Sequence, residues 1–264
     1  MRIWAVANQK GGVGKTTTAV SLAGLSVLHG ARTLLVDMDP HGSLTSYFGK
    51  DPETIQPSLY DLFHTGRADF AFTRTLIRQT SLDQLDLLPA STAIATLDKQ
   101  LGAKSGMGLA VANALKNIGD EYDQIFIDCP PMLGVLMVNA LAACDHLIIP
   151  VQTEFLAIKG LDRMLHTLGM IEKAKSIHIP YTIVPTMFDR RTRASLETLH
   201  FLRDNYTDHL WQSVIPIDTR FRESSREGKP ISHFRVSTRG ARAYSLLLDS
   251  LMQEESNNSQ VIAS

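Results

Sequence analysis

The chain reads Lys10-Gly11-Gly12-Val13-Gly14-Lys15-Thr16 soon after an apolar run at residues 3–7. Glycines are needed where a backbone turns back on itself and presents its N–H groups to an anion. Apolar residues then recur at helical spacing over residues 15–28, so the loop opens into a helix N-terminus, where free N–H groups favour a phosphate. The order of strand, glycine-rich loop and helix predicts a nucleotide-phosphate site.

This loop departs from the usual phosphate-loop pattern at two positions. Gln9 stands where a glycine is expected, and a second lysine, Lys10, precedes the usual one, Lys15. We predict that Lys15 neutralises the β- and γ-phosphates of a nucleotide and that the Thr16 hydroxyl binds Mg²⁺. So short a loop cannot easily direct both ammonium groups at one triphosphate, so Lys10 either serves a neighbouring subunit or is a solvated loop lysine. The predicted ATP-binding residues of the loop are Gly11, Gly12, Val13, Gly14, Lys15, Thr16 and Thr17.

Apolar runs alternate with helical patterns along the rest of the chain. Strands are predicted at residues 3–7, 33–36, 85–88, 124–127, 146–151 and 181–184, and helices at 15–28, 107–118, 133–143, 156–174, 193–205 and 239–252. Such alternation is typical of an α/β fold, with a mostly parallel twisted sheet and helices on both faces. We predict a single P-loop NTPase domain over residues 1–252 and a polar C-terminal tail over 253–264, and we find no readable pattern at 49–84.

Acidic residues follow two of the predicted strands, at the sheet edge where ligands bind in such folds. Asp37 and Asp39 lie on the same side of a strand end, because side chains alternate with a period of two. Asp128 ends the apolar run 125–127, and we predict that it holds Mg²⁺ through a water molecule.

Bulk properties restrict the function further. The chain has 264 residues, 44% of them hydrophobic, which is enough for one large core. Its net charge of −1 gives no overall attraction to nucleic acid or membrane. Cys129 and Cys144 lie in apolar sequence, which favours buried thiols in a reducing compartment. We see neither a signal peptide nor an apolar run near the ~20 residues that a membrane span requires, and we expect a cytoplasmic protein.

With this loop the chain resembles the ParA/MinD group of P-loop ATPases, whose deviant loop reads Lys-Gly-Gly-x-Gly-Lys-Thr. The resemblance covers nearly the whole chain and implies a homodimer bridged by ATP and Mg²⁺, in which Lys10 reaches the partner's phosphates. It also implies that Asp39 orients the attacking water. The predicted catalytic residues are Lys10, Lys15, Asp39 and Asp128, and the predicted metal site is Thr16, Asp39 and Asp128.

The resemblance also predicts the contacts of the base. Met187 and Pro216 would pack on adenine, and Asp218 would lie near its edge; packing without a ligand is the alternative. One residue departs from the family, because the usual Asp-Pro-Gln-Gly is Asp-Pro-His-Gly here, and no role for His41 follows from the sequence. We find no strong general base such as a poised histidine, and we therefore predict slow hydrolysis without a partner.

Arginine is concentrated late in the chain. Residues 189–242 carry eleven Lys and Arg against seven Asp and Glu. In DNA-partitioning members of the family, arginines matching Arg191 and Arg220 lie on a nonspecific DNA surface, so DNA is a candidate partner; a solvated face with its own acidic partners is the alternative. The acidic end of the predicted last helix argues against the basic membrane-targeting helix of the MinD branch.

The leading hypothesis is a ParA-like Mg²⁺-dependent ATPase that positions a cellular cargo through a protein partner. Residues 41–49, 152–160 and 232–234 resemble the ParC-type members that position chemotaxis arrays, and an array is the predicted cargo. Plasmid or chromosome partition is the alternative. Rivals from other classes are an ATP-dependent amide-forming synthetase, such as cobyrinic acid a,c-diamide synthase, and an electron donor like the nitrogenase iron protein. Neither cysteine sits in a pattern that suits those chemistries.

Overall fold

The computed structural model describes residues 1–97, 107–234 and 237–262. Its centre is one sheet with the strand order β3-β4-β2-β5-β1-β6-β7. Neighbouring strands pair in parallel, except that β3 is antiparallel to β4. The strands are β1 (Arg2–Val6), β2 (Thr33–Asp37), β3 (Arg78–Gln79), β4 (Leu85–Leu88), β5 (Gln124–Asp128), β6 (His146–Gln152) and β7 (Tyr181–Thr186). The mostly parallel α/β sheet is confirmed, and β3 is the strand of the described part that the sequence did not predict.

The helices connect these strands and cover them. They are α1 (Lys15–Leu28), α2 (Ser43–Tyr47), α3 (Leu59–Thr65), α4 (Phe70–Leu76), α5 (Ala110–Asn117), α6 (Val135–Ala143), α7 (Phe155–Lys175), α8 (Arg193–Asn205), α9 (Arg220–Arg226), α10 (Ile231–Phe234) and α11 (Arg239–Ile262). Short 3-10 turns lie at Thr92–Thr96, Met107–Leu109, Gly119–Glu121 and Thr207–His209. Within the described residues, none of the helices has the length and apolar character that a membrane span requires.

Several helices differ from the sequence prediction. The short helices α2, α3, α4, α9 and α10 were not predicted, and the first turn of the predicted helix 107–118 is a 3-10 turn. The last helix, α11, continues to Ile262, ten residues beyond its predicted end at 252. A helix already nucleated on the core extends through polar residues at little cost per residue. The proposed tail at 253–264 is therefore helical as far as 262, and 263–264 lie outside the described residues.

Alternating strand residues divide the core between the two faces of the sheet. On β1, Ala5 faces one hydrophobic cluster, whereas Trp4 and Val6 face the other. The first cluster is completed by α3 to α7 and the second by α1 and α11. Both faces are therefore covered, as predicted, and the loops after β1, β2, β5 and β7 meet at one edge of the sheet.

Candidate nucleotide-binding site

The glycine-rich loop is anchored to the strands on one side of β1. The Asn8 side chain is fully buried; its Nδ2 donates to the Pro150 carbonyl at 2.8 Å, and its Oδ1 accepts from the Lys10 backbone N–H at 2.9 Å. The Thr186 hydroxyl, at the end of β7, donates to the Val13 carbonyl at 2.8 Å. The loop is therefore held at both ends by neighbouring strands before any ligand binds.

Glycine is required in this loop by the backbone rather than by crowding. Gly12 and Gly14 have φ angles of 75° and 95°, in the left-handed region that favours glycine. A Cβ placed on Gly11, Gly12 or Gly14 would meet no atom within 4 Å. The space over the loop is thus open on the side where a phosphate would lie, and α1 begins directly behind it.

The two lysines of the loop point to different places. Lys15 is buried, and its Nζ lies 3.5 Å from the Lys10 carbonyl oxygen. The Lys10 ammonium forms an ion pair with Glu154, just before α7, and lies 3.5 Å from Oε1 of Gln152. In the structure the two ammonium groups of the loop therefore lie at different places.

A cavity of about 430 Å³ lies over the loop, and we call it the phosphate cavity. It brings together eight predicted site residues, namely Gly11, Gly12, Gly14, Lys15, Thr16, Thr17, Asp39 and Met187. His41, Ser43 and Pro131 complete the lining. Of the predicted loop residues, Lys10 and Val13 do not line this cavity.

Asp128 lies behind the phosphate cavity. Its Oδ2 accepts a hydrogen bond from the Thr16 hydroxyl at 2.6 Å, and its Oδ1 is buried with no hydrogen-bond partner among the described residues. Burial, and then the neighbouring Asp37 carboxylate, raise the pKa of Asp128 well above its usual value.

A buried carboxylate oxygen without a partner, next to a threonine hydroxyl, fits a hydrated Mg²⁺, which prefers oxygen ligands and keeps several waters. The described residues contain no group of three His, Cys, Asp or Glu side chains that could hold a metal ion. Mg²⁺ at this place would therefore take most of its remaining ligands from phosphate oxygens and water.

Asp37 organises the loop that follows β2. It is fully buried; its Oδ2 accepts from the Thr45 backbone N–H at 2.7 Å and from the Thr45 hydroxyl at 2.6 Å. Its Oδ1 accepts from the Asp39 backbone N–H at 3.1 Å. Burial raises the pKa of Asp37 to about 7, although these hydrogen bonds oppose the shift. Asp37 thereby fixes both Asp39 and α2.

Asp39 has an unexpected neighbour. Its Oδ1 accepts from the His41 backbone N–H at 3.0 Å and lies 2.8 Å from His41 Nδ1. The sequence left His41 without a role. The signal that could have revealed the contact is local, since an aspartate in a Pro-Gly turn commonly bonds to the residue two positions later.

A second cavity, of about 410 Å³, adjoins the first, and we call it the base cavity. The predicted residues Met187, Pro216 and Asp218 all line it, and Met187 lines both cavities. The Asp218 carboxylate accepts backbone N–H bonds from Arg220 and Gly240, each at 3.0 Å, so it also fixes the starts of α9 and α11. Sequence reasoning missed Phe221, Arg222 and Tyr244, which line the same cavity.

Comparison with known proteins agrees with this geometry. An AAA domain family matches residues 1–180. The sporulation initiation inhibitor protein Soj of Bacillus subtilis is 36% identical over 244 residues, which are 92% of this chain and 95% of Soj. The chain belongs to the ParA/MinD family of ATPases.

Further relatives of this ParA/MinD ATPase span its whole length. The chromosome partitioning protein ParA of Myxococcus xanthus is 34% identical, with 98% of this chain and 90% of that protein covered. A Mycobacterium smegmatis structure named cobyrinic acid a,c-diamide synthase, with bound ADP and magnesium, has a TM-score of 0.83 and 32% identity. The similarity covers 97% of this chain and 96% of that one.

The two arginines predicted to contact DNA are both paired within this ParA/MinD ATPase. The Arg191 guanidinium donates to both carboxylate oxygens of Asp189, at 2.9 and 2.7 Å, and Arg220 pairs with Glu223 at 2.7 Å. Arg190 and Arg239 line a surface cavity with Arg191, beside the base cavity, and their side chains have no ion-pair partner among the described residues. The alternative of an arginine face with its own acidic partners thus applies to Arg191 and Arg220 in the single chain.

Proposed function

We propose that this chain is a slow, Mg²⁺-dependent cytoplasmic ATPase that forms an ATP-bridged homodimer and positions a cellular cargo. The observation that carries the proposal is the separation of the two loop lysines. Lys15 lines the phosphate cavity, whereas Lys10 is held outside it by Glu154. A lysine that does not serve its own cavity is available to the phosphates of a second subunit.

The surface around Lys10 supports this arrangement. Met132 and Leu133 follow Pro131, which lines the phosphate cavity, and Phe155 and Leu156 follow Glu154. All four are exposed, from 47% at Leu133 to 73% at Met132. Burying them against a second copy would favour association through the hydrophobic effect. We therefore place the dimer face on this side of the site.

Within one subunit, the chemistry follows from the residues of the phosphate cavity. The loop N–H groups and Lys15 would hold the phosphates, while Thr16 and Asp128 would hold Mg²⁺, which neutralises phosphate charge when bound. Asp39 would orient the attacking water through its Oδ2, to which no described residue is bonded. Hydrolysis would be slow in the single chain, because the ammonium of Lys10 is bound to its own Glu154.

The identity of the cargo is the most specific part of the proposal. Segment resemblance at 41–49, 152–160 and 232–234 supports a chemotaxis array, whereas the names of Soj and ParA relatives support a chromosome or plasmid complex. A fluorescent fusion in the native host would distinguish these cargoes. We expect foci that coincide with chemoreceptor clusters; foci that follow a replication origin would replace the array by DNA as cargo.

An amide-forming synthetase is the second candidate, because a structure carrying such a name is 32% identical. A synthetase consumes ATP only when its acceptor substrate is present. We expect steady ATP turnover by the purified chain without an acid acceptor, ammonia or glutamine. Turnover that appears only with such an acceptor would transfer the assignment to the synthetase.

The decisive experiment is the solution mass of the protein. Asp39→Ala, which would block hydrolysis, is measured with Mg·ATP and with Mg·ADP, and then again with Lys10→Ala added. We expect a dimer with ATP only, and a monomer in the double variant. Lys173→Ala, which removes an exposed lysine at the far end of α7, serves as the matched control. A mass that does not change with nucleotide would contradict the proposal.

A further inference from the structure

The contact between His41 and Asp39 is specific in its geometry. Two donors of one residue, the backbone N–H and the ring Nδ1 of His41, meet the same oxygen of Asp39, at 3.0 and 2.8 Å. The Asp39 side chain is 13% exposed and the His41 side chain 79% exposed. The imidazole therefore covers one oxygen of a nearly buried carboxylate from the solvent side.

No described residue binds the other carboxylate oxygen of Asp39, Oδ2. The Asp39 backbone is fixed by its N–H bond to Asp37 Oδ1 at 3.1 Å, so the carboxylate can move only by rotating its side chain. The bond to His41 opposes that rotation. Asp39, His41, Ser43 and Lys15 all line the phosphate cavity. With Oδ1 held, Oδ2 is the oxygen of Asp39 that can accept a hydrogen bond from a water in this cavity.

We propose that His41 is a positioning residue for ATP hydrolysis, which acts by holding the Asp39 carboxylate in the orientation that the attacking water requires. The proposal rests on the role proposed above for Asp39. Correct orientation of a catalytic group changes reaction rates strongly, and a misplacement of about 1 Å can cost about 100-fold. In this role His41 acts through Asp39 and not on ATP itself, so its replacement should affect turnover more than binding.

Side-chain geometry provides a sharp test. The amide nitrogen of asparagine occupies nearly the place of histidine Nδ1, whereas that of glutamine occupies nearly the place of Nε2. Steady-state kcat and KM for Mg·ATP are measured for His41→Ala, His41→Asn and His41→Gln. We expect alanine to lower kcat about tenfold with KM within about twofold, and asparagine to restore most of kcat. Glutamine should restore less than asparagine does.

The chain offers a matched control. His178 is also an exposed histidine, at 80%, and its Nδ1 lies 3.0 Å from the Glu172 carboxylate, at the end of α7. His178→Ala removes a similar pair away from the cavity and should leave kcat unchanged. The inference is overturned if His41→Ala keeps the normal kcat, if asparagine and alanine lose activity equally, or if His41→Ala changes KM alone.

Failure of this inference can be told apart from failure of the proposed function. If Asp39→Ala binds ATP but does not hydrolyse it while His41→Ala is fully active, only the role of His41 is wrong. If Asp39→Ala itself turns over ATP normally, the role proposed for Asp39 is wrong, and the inference fails with it. Thermal unfolding of each variant shows whether it is folded, and a change at so exposed a side chain should leave the fold intact.

Discussion

Single side chains determine how the two loop lysines are used. Lys15 lies beneath the loop, where its position is fixed by burial, whereas Lys10 is held by Glu154, on a different part of the chain. Gly160, in the second turn of α7, lets this helix approach the loop, since a Cβ there would lie 3.1 Å from Lys10 Cβ and 3.2 Å from Asn8 Oδ1. The ion pair and this close approach together set the starting position of Lys10.

Replacing Glu154 by glutamine should release Lys10. The Lys10–Glu154 pair is partly exposed, and such a pair contributes only ~0.2–1 kcal/mol. The dimerisation constant should therefore rise at most about fivefold for each of the two pairs broken. We expect a higher dimer fraction at limiting protein concentration, measured by analytical ultracentrifugation with Mg·ATP in the Asp39→Ala background. Glu197→Gln, which breaks the exposed pair with Arg193, is the control. Loss of the dimer in Glu154→Gln would mean that Glu154 directs Lys10 toward the partner instead of restraining it.

His146 should make stability depend on pH. Burial, and then the charges of Arg2 and His209, lower the pKa of His146 from 6.5 to about 4. Between about pH 6.5 and pH 4, His146 is protonated in the unfolded chain but stays neutral in the folded chain. The free energy of unfolding therefore falls as the pH is lowered through this range.

The His146 effect is tested with His146→Gln, which can keep a hydrogen bond to the Thr182 hydroxyl. The free energy of unfolding is measured with urea at pH 7.5 and pH 4.5. Between these two pH values it should fall by up to about 3 kcal/mol more in the wild type than in the variant. Equal losses in the two proteins would refute this origin of the pH dependence.

At the level of helices and strands, the chain is predictable where elements are long and buried. The six predicted strands lie within two residues of their observed bounds, because continuous apolar runs mark strands covered on both faces. The segment 43–76 was not predictable in this way. Its helices α2, α3 and α4 have five to seven residues, too few for a 3.6-residue period to stand out. Their visible signals are the capping residues Ser58 and Asp69.

Two helical glycines give a matched test of packing. A Cβ on Gly24, in α1, would lie 2.3 Å from Pro230 Cβ and 2.8 Å from the Ser232 hydroxyl, whereas a Cβ on Gly169, in α7, would meet no atom within 4 Å. We expect Gly24→Ala to destabilise the fold by about 1–3 kcal/mol, because the added methyl group would push α1 away from Pro230 and from α10, which follows it.

Gly169→Ala should stabilise the same protein by about 0.5–1 kcal/mol, because alanine has the higher helix propensity. Both values are read from urea unfolding under identical conditions. If the two alanine variants have the same stability, the close contact of α1 with Pro230 does not constrain the fold.

For the chain as a whole, charge is distributed unevenly, and the arginines of residues 189–242 are the candidate DNA surface. Arg191 is bound by Asp189, so DNA would have to compete with an internal carboxylate. We expect Asp189→Asn to tighten binding of the ATP-bound protein to random-sequence DNA, and Arg191→Ala to weaken it. The slope of log affinity against log salt should fall by about one in the alanine variant.

Arg32 provides the control for DNA binding. It precedes β2, at the edge of the sheet opposite the nucleotide site, and pairs with Asp123 at 2.8 Å. Arg32→Ala should leave the salt dependence unchanged. Equal effects of Arg32→Ala and Arg191→Ala would remove the localised surface and leave only a general electrostatic attraction.

Whether a residue of the site could be predicted also depends on how far apart in the sequence the contacting residues lie. The loop residues 11, 12 and 14–17, together with Asp39, were predictable because the motif and the strand end place them in one cavity. The partners that hold them were not, because Asn8 binds Pro150 and Lys10 binds Glu154 across some 140 residues. Only the folded sheet brings β1 and β6 side by side.

Met187 lines both the phosphate cavity and the base cavity and has a φ of 52°, which is uncommon for a residue with a side chain. Such a backbone stores on the order of 1 kcal/mol or more of strain. Glycine at this position would relax the strain while removing a side chain that lines both cavities. The same variant would then be a more stable apoprotein and a poorer nucleotide binder, so selection for thermal stability alone would weaken nucleotide binding at this residue.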